Sequence, residues 1–592
     1  MNDPAPRARH RLSTALWIVP PLLAGSALRL LGCARQILGS DELHAVRAAL
    51  SQPLSSILVT YQANDNCIPL TAFYRALLDL GTTFSETTFR LPILAAGIAL
   101  LALAPLAAER YAGRAPAALF AWLLAISPIL ALYSRIVRSY MPIVLLTFAA
   151  AIAFFAWLES RRWRYGIAYV ALASLAVYFH LVSGPFVLAP FVFAVCDGLP
   201  RSRRHDGRWR PLAVLLGSLL LGLAAFTLPA LGSLRQIVAA KRGGSVPGAG
   251  ALISVLELQA GTAQPALLCL FWGAALAGLV LLCRRHARFA AFTATLVLGQ
   301  VAGLLVLAPY QLSFPVVLDR YLIVVLPWVL LWVASAWSLP GPAPGRAEAP
   351  RAPGWQWARW ALAGIFVAAL LAAGPFADPA LRTTSFAHHD DFVLFSCPRP
   401  SLAEADIPPF YRQLAGARDA ALLEYPWSAW MSWQSLLVYQ QVHRQEIVVA
   451  TPAEVIFDDP RLALRNMVPA DPERFLASRA RFVVVHLDPP AEESRVRQPP
   501  CGGRPPRSIR RPRLRQALQQ WGRDMAAELA RRWGNPSYRD GSIAVWDLDR
   551  ARAAGAAKPA EGLYWNAPAA PALGQSAPAA PGGKAARAAG SS

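Results

Sequence analysis

The chain of 592 residues is 55% hydrophobic and only 16% charged, with a mean hydropathy of +0.37. Soluble domains carry about 25% charged residues, so this composition excludes an ordinary soluble globular protein. A net charge of +22 would suit a nucleic-acid partner, but the Lys and Arg residues of the first 360 positions fall mainly in short loops between apolar runs. That is how an inner-membrane protein fixes its orientation, and it argues against nucleic acid.

The basic start MNDPAPRARHR leads into a long apolar run that contains Arg29 and has no convincing small-residue cleavage site. It reads as a retained first span and not as a signal peptide. A span needs about 20 predominantly apolar residues. On that rule about eleven are predicted, near 12–34, 91–108, 115–133, 140–158, 165–181, 183–197, 211–232, 265–283, 289–309, 321–339 and 359–376. With the N-terminus in the cytoplasm, the inner segments hold Arg7, Arg9 and Arg11, then Arg110 and Arg114, then Arg161, Arg162 and Arg164, then RSRRHDGRWR, then Arg284, Arg285 and Arg288, and finally Arg346, Arg351 and Arg359. The positive-inside bias therefore predicts a multi-pass inner-membrane protein whose long polar loop, residues 35–90, faces outward.

Within that loop, Leu43, Val46, Leu50, Leu54 and Ile57 recur at roughly helical spacing, and Leu70, Phe73, Leu77 and Leu80 do so again. Two amphipathic helices in the headgroup plane are expected there. After the last span the pattern changes. Short apolar runs (AALLEY, EIVVA, RFVVVHLD, SIAVWDL) alternate with helical stretches such as LRQALQQWGRDMAAELARRWG. The expected organisation is thus a polytopic α-helical membrane domain over 1–376, an extracytoplasmic α/β domain over 377–550, and a disordered Ala/Pro/Gly-rich tail over 551–592. PGPAPGRAEAPRAPG reads as a linker. The seven cysteines lack metal spacing; Cys67, Cys397 and Cys501 would face outward, where one disulfide is an alternative to the buried or free thiol that each otherwise reads as.

Asp41 and Glu42 are the first candidates for chemistry. A hydroxyl or amine attacking a sugar carbon must lose its proton, and a carboxylate within reach can take it. The alternative is that Ser40 and Asp41 merely cap the helix that follows, being good N-cap types. Asp65 lies in the same loop. Arg90, Arg135, Arg138, Arg320 and Tyr321 occur in FRLP, YSRIVRSYMP and DRYLIVVLP at predicted outer ends of spans, with Tyr140 closing the second motif. Arginine suits phosphate, since its planar fork grips two oxygens; it also snorkels to headgroups for structural reasons alone. His180, in VYFHLVSGP, reads either as a hydrogen-bonded structural residue or as a ligand beside Glu42 or His44, with no metal spacing to support the latter. His388, His389, Asp390 and Asp391 read as a solvated linker.

The motifs SALRLLG, SDELHAV, NDNCIPLTAFYRALLDLGTTFSETTFRLPIL, YSRIVRSYMPIVLLTFAA, YFHLVSG and DRYLIVVLP together resemble the C-type integral-membrane glycosyltransferases. This superfamily includes protein O-mannosyltransferases and the aminoarabinose transferases that modify lipid A. The resemblance covers about residues 12–340, and its most specific parts are the DE after the first span and SETTFRLP before the second. It implies that Asp41 is the catalytic carboxylate with Glu42 in support, and that Arg138 and Arg320 help hold a lipid phosphate. It also implies Asp65, Arg90, Tyr140, His180 and Tyr321 near the substrate, a sugar on a polyprenyl phosphate as donor, inversion by a single displacement, and a divalent metal as a candidate cofactor. The acceptor would be an unidentified envelope lipid, glycan or protein. One departure is Cys67-Ile68-Pro69, where family members commonly carry a His-Pro or double-Pro motif. A lipid or polysaccharide transporter, or a non-catalytic assembly protein of the same fold, stands as the alternative; the mostly Leu and Ala spans lack the midplane polar breaks that transport favours.

Overall fold

The computed structural model of the chain describes residues 5–31, 33, 42, 45, 48–49, 52–61, 67–81, 86–198, 209–240, 243–309, 312–337, 353–377, 407–417, 420–425, 439, 442–443, 445, 447–448, 472–478, 480–488 and 512–554. Asp41, His44 and Asp65 lie outside the described residues, as do the 388–391 string and the tail from 555.

The described part up to residue 377 is a helical bundle. Its helices are α1 (Ala5–Leu30), α2 (Leu54–Val59), α3 (Ile68–Asp79), α4 (Glu86–Ala112), α5 (Arg114–Ile126), α6 (Pro128–Tyr133), α7 (Tyr140–Ser160), α8 (Trp163–Phe179) and α9 (Gly184–Gly198). They continue as α10 (Trp209–Thr227), α11 (Leu231–Ala240), α12 (Ala249–Ala260), α13 (Pro265–Leu307), α14 (Pro315–Leu322), α15 (Leu326–Ala336) and α16 (Pro353–Ala372). Among the described residues six helical stretches are long and apolar enough to cross a membrane: Thr87–Ala112, Tyr140–Ser160, Leu181–Gly198, Trp209–Ala239, Pro265–Leu307 and Pro315–Ala336. Shorter apolar helices cover Trp17–Leu30, Arg114–Ile126, Ala249–Ala260 and Trp357–Ala372.

Three differences from the sequence reading have plain causes. The stretch expected as one span over 115–133 is two helices, because Pro128 has no N–H to continue the ladder and Ser127 adopts an extended conformation (φ −61°, ψ 116°). The two spans expected over 265–283 and 289–309 run together as α13, which is kinked at His286 (φ −137°, ψ 59°). Helix α12 stands where no element was expected. Of the two amphipathic helices expected in the 35–90 loop, the described parts are α2 and α3. The second amphipathic helix is packed by its buried face of Ile68, Leu70, Thr71 and Tyr74.

Interior packing is dominated by aromatics that draw the long helices together. Phe148 of α7 stacks on Trp328 of α15 at 4.7 Å, and Tyr111 of α4 stacks on Phe289 of α13 at 4.7 Å. Helices α13 and α15 lie side by side, and the Trp332 indole donates to Thr293 Oγ1 at 3.0 Å. Their approach needs Gly278, where a Cβ would sit 1.7 Å from the Trp332 carbonyl oxygen. Close backbone contact through small residues is the usual solution where helices pack in a bilayer.

Beyond residue 377 the described residues form a five-stranded sheet, β1 (Leu422–Tyr425), β2 (Ile447–Val448), β3 (Phe482–His486), β4 (Tyr538–Arg539) and β5 (Ile543–Asp547), in the order β2-β1-β3-β5-β4. β1 pairs parallel with β2 and β3, while β5 pairs antiparallel with β3 and β4. Strand residues alternate between two cores. Leu422, Val484 and Val545 pack with Tyr411 on one face, and Leu423, Val483, Val485 and Trp546 pack with Met525 and Leu529 on the other. Glu424 is buried on β1, where it accepts from Tyr411 Oη at 3.0 and 3.1 Å and meets His486 Nε2 at 2.7 Å.

His443 is fully buried beside this group. Its Nδ1 accepts from the Gln445 backbone N–H at 2.9 Å and its ring stacks on Tyr411 at 5.5 Å. Burial pushes the imidazole down to about 3. Between pH 3 and 6.5 the unfolded chain therefore binds a proton that the folded chain refuses, so this site's contribution is full above pH 6.5 and lost progressively below it, at up to about 1.4 kcal/mol per pH unit. Hydrogen exchange at strand 482–486 should consequently accelerate as pH falls from 6.5 towards 3, beyond the intrinsic chemistry of exchange, and His443→Phe should flatten that dependence. A variant with the same pH profile as the parent would show that His443 is not the titrating group.

Candidate active site

The site is built around the turn YSRIVRSY, residues 133–140, between α6 and α7. Helix α6 stops at Tyr133, and the backbone turns through Arg135 N–H to Leu132 O (2.9 Å) and Arg138 N–H to Ile136 O (2.7 Å) before α7 begins. Chain segments remote in sequence are pinned to this turn.

The first comes from the polar loop. Glu42 is buried, and its carboxylate accepts from Arg90 Nε at 3.1 Å and Nη2 at 2.8 Å, while the Val137 backbone N–H donates to Oε1 at 2.9 Å. Arg90 lies in the first turns of α4 with no exposed surface and also donates through Nη1 to the Cys33 carbonyl at 2.8 Å. This is a bidentate, charge-assisted pair. The fork of Arg90 is turned inward onto Glu42. This changes the reading of Glu42, whose oxygens are taken by three N–H groups. Arg135 sits beside the pair and Cys33, and burial lowers its guanidinium to about 10, so that it stays charged at neutral pH.

The second segment is the end of α1. Arg29, fully buried, donates through Nε to Ser134 Oγ at 3.0 Å, through Nη1 to Gly25 O (2.9 Å) and Ala125 O (3.2 Å), and through Nη2 to Leu124 O (3.1 Å). Leu124 and Ala125 are the last carbonyls of α5, which have no partner in their own helix and carry partial negative charge. Gly97 of α4 makes room, since a Cβ there would meet Ser134 Oγ at 2.2 Å. Sequence reasoning used Arg29 only to discount a signal peptide. An arginine inside an apolar span was itself a signal of a built polar site.

The third segment is α14. Arg320 Nε donates to the Tyr133 hydroxyl at 2.9 Å, and its guanidinium lies 6.0 Å from the Tyr140 ring, an electrostatically favourable placement. The Tyr140 ring is 5.7 Å from His180, which is 6.0 Å from Tyr321. His180 Nδ1 accepts from the Val182 N–H at 3.3 Å and so caps the short turn Leu181–Ser183, in keeping with its structural reading.

Tyr140, His180, Arg320 and Tyr321 are thus brought together, with Arg138 on the same turn. Burial separates the arginines into two groups: Arg29, Arg90 and Arg135 are buried, whereas Arg138 and Arg320 are only partly covered. Tyr133 escaped the sequence reading because nothing local distinguishes it from the other tyrosines of the spans. Asp319, next to Arg320, is also buried. Among the described residues no three His, Cys, Asp or Glu side chains converge in one place.

Residues 65–227 match the family model described as dolichyl-phosphate-mannose-protein mannosyltransferase. No curated protein matches the sequence. Among solved structures, the chain is similar to ArnT from Cupriavidus metallidurans in the apo state, at 14% identity over 90% of this chain and 98% of that one, with a TM-score of 0.44. The same protein bound to undecaprenyl phosphate gives 14% identity, the same coverage and a TM-score of 0.46. An oligosaccharyltransferase of Archaeoglobus fulgidus, in complex with Zn and sulfate, gives 13% identity over 80% of this chain and 68% of that one, with a TM-score of 0.37. The family match spans the end of the polar loop, SETTFRLP, the 133–140 turn and His180, and over residues 65–227 it bears out the resemblance to the C-type integral-membrane glycosyltransferase superfamily.

Proposed function

We propose that this protein is a membrane glycosyltransferase that moves a sugar from a polyprenyl-phosphate donor to an acceptor on the outer face of the bacterial inner membrane. The observation that carries this reading is the 133–140 turn, which carries the partly covered Arg138 and meets the partly covered Arg320 through Tyr133 and Tyr140, while the buried Glu42–Arg90 pair is tied to the same turn. The matched family's description, which names a dolichyl-phosphate sugar, agrees with such a donor.

In this reading the acceptor hydroxyl attacks the anomeric carbon as its proton passes to the Asp41 carboxylate. The bond from that carbon to the phosphate oxygen breaks, and the oxygen leaves with the electron pair. The phosphate thereby gains a negative charge, which Arg138 and Arg320 neutralise. Glu42 and Arg90 take positioning parts. Tyr133 and Tyr140 orient Arg320, and His180 stands between Tyr140 and Tyr321 beside it.

The test is transfer of radiolabelled sugar from a panel of polyprenyl-phosphate sugars by the purified full-length protein in lipid, with extracted envelope as acceptor. Transfer from one donor supports the reading and names the sugar. Folded protein that transfers from none of them overturns it in favour of a transport or assembly role.

A further inference from the structure

Gln300 is a fully buried residue in the second half of α13, inside an otherwise apolar stretch, and none of the reasoning above uses it. Its amide nitrogen donates to two carbonyls at once: Val182 O at 3.1 Å and Tyr321 O at 2.9 Å. Those carbonyls belong to segments far apart in sequence. Val182 lies in the turn that follows His180 and gives its own N–H to the His180 ring, and Tyr321 directly follows Arg320 on α14. A primary amide is suited to this bridge because its two N–H bonds fork in one plane and can serve two acceptors.

The bridge has a cost that points beyond packing. Among the described residues Gln300 Oε1 is buried with no hydrogen-bond partner, and an orphaned buried acceptor costs about 1–3 kcal/mol. A methionine of similar length would remove that orphan, yet it would release the two carbonyls from one another. The arrangement fixes the separation between the His180 turn and the Arg320–Tyr321 corner. We infer that Gln300 is a positioning residue for the lipid-phosphate site, its one amide setting the spacing between His180 and Arg320–Tyr321. This inference rests on the donor reading given above.

The test measures binding of a polyprenyl phosphate, the product lipid, to the full-length protein in lipid, alongside the melting temperature and, where transfer is detected, the donor KM and kcat. Gln300→Met is compared with Thr293→Val. Thr293 lies on the same helix, where it accepts from Trp332, away from the site. Gln300→Met should weaken lipid-phosphate binding about tenfold, as expected for losing one to two hydrogen bonds' worth of alignment, with the donor KM rising and the melting temperature close to that of the parent. Thr293→Val should lower the melting temperature and leave binding unchanged. If Gln300→Met does not fold, Gln300→Asn, which keeps the amide but retracts it by one methylene, is read by the same criteria. A folded Gln300 variant that binds like the parent overturns the proposal, and so does a Thr293→Val that loses as much affinity. A parent that binds no polyprenyl phosphate overturns the donor reading itself.

Discussion

Arg90→Met should destabilise the protein by about 3–5 kcal/mol, the usual result of removing one partner from a buried ion pair. Methionine fills much of the arginine's volume, so the loss comes from charge and not from a cavity. The Glu42 carboxylate would keep only the Val137 N–H at 2.9 Å among its three donors described here. Glu42→Met should be comparably damaging, because it strands the guanidinium. The double variant Glu42→Met/Arg90→Met removes both charges and should recover most of the stability, since a buried pair replaced by apolar groups is often neutral. Transfer activity should not return with it, because the Val137 N–H loses its acceptor and the loop is untied from the turn. Thermal unfolding of the four proteins in one detergent, with transfer measured in parallel, checks both halves. An Arg90→Met protein that melts with the parent would refute the structural half, and a double variant with full activity would refute the positioning half.

Asp41→Asn should reduce transfer by about 10²–10⁴-fold, the usual contribution of a general base. The substitution is chosen because asparagine is as good an N-cap as aspartate. If Asp41 only caps a helix, the variant should be fully active. If it takes the acceptor's proton, the variant should fold, melt and bind polyprenyl phosphate like the parent while failing to turn over. Transfer that survives the change in a folded protein would end the case for Asp41 as the base.

Much of the helical framework was legible because hydropathy and chain breaks act locally. The span expected over 140–158 is α7, Tyr140–Ser160, and the gap expected between 181 and 183 is the turn Leu181–Ser183. The strand runs LLEY, VVVH and IAVW reappear as β1, β3 and β5. The break at Ser127–Pro128 was readable in principle, but the apolar character on both sides outweighed one proline. The site was legible as a set of residue types and not as a set of partnerships. Arg90, Arg138 and Arg320 look alike in sequence, each near the end of an apolar run. What separates them is that Arg90 faces a carboxylate 48 residues away, whereas Arg320 faces a tyrosine 187 residues away, and no periodicity reports contacts at such range. Arg29 and Gln300 were overlooked for a related reason. Their hydrogen bonds run mostly to backbone carbonyls, and every residue has one of those.

The long reach of the Tyr133–Arg320 bond also bears on synthesis. A ribosome delivers α6 and α7 to the membrane well before α14, so the contacts that Arg29 and Glu42 make with the 133–140 turn can form while nearly two hundred further residues are made. Tyr133 and Tyr140 remain without their guanidinium until the α14 segment arrives. A nascent chain cut short before Pro315 carries the 133–140 turn but lacks the guanidinium that meets Tyr133 and Tyr140, so this corner forms only once a little over half of the 592 residues have been made.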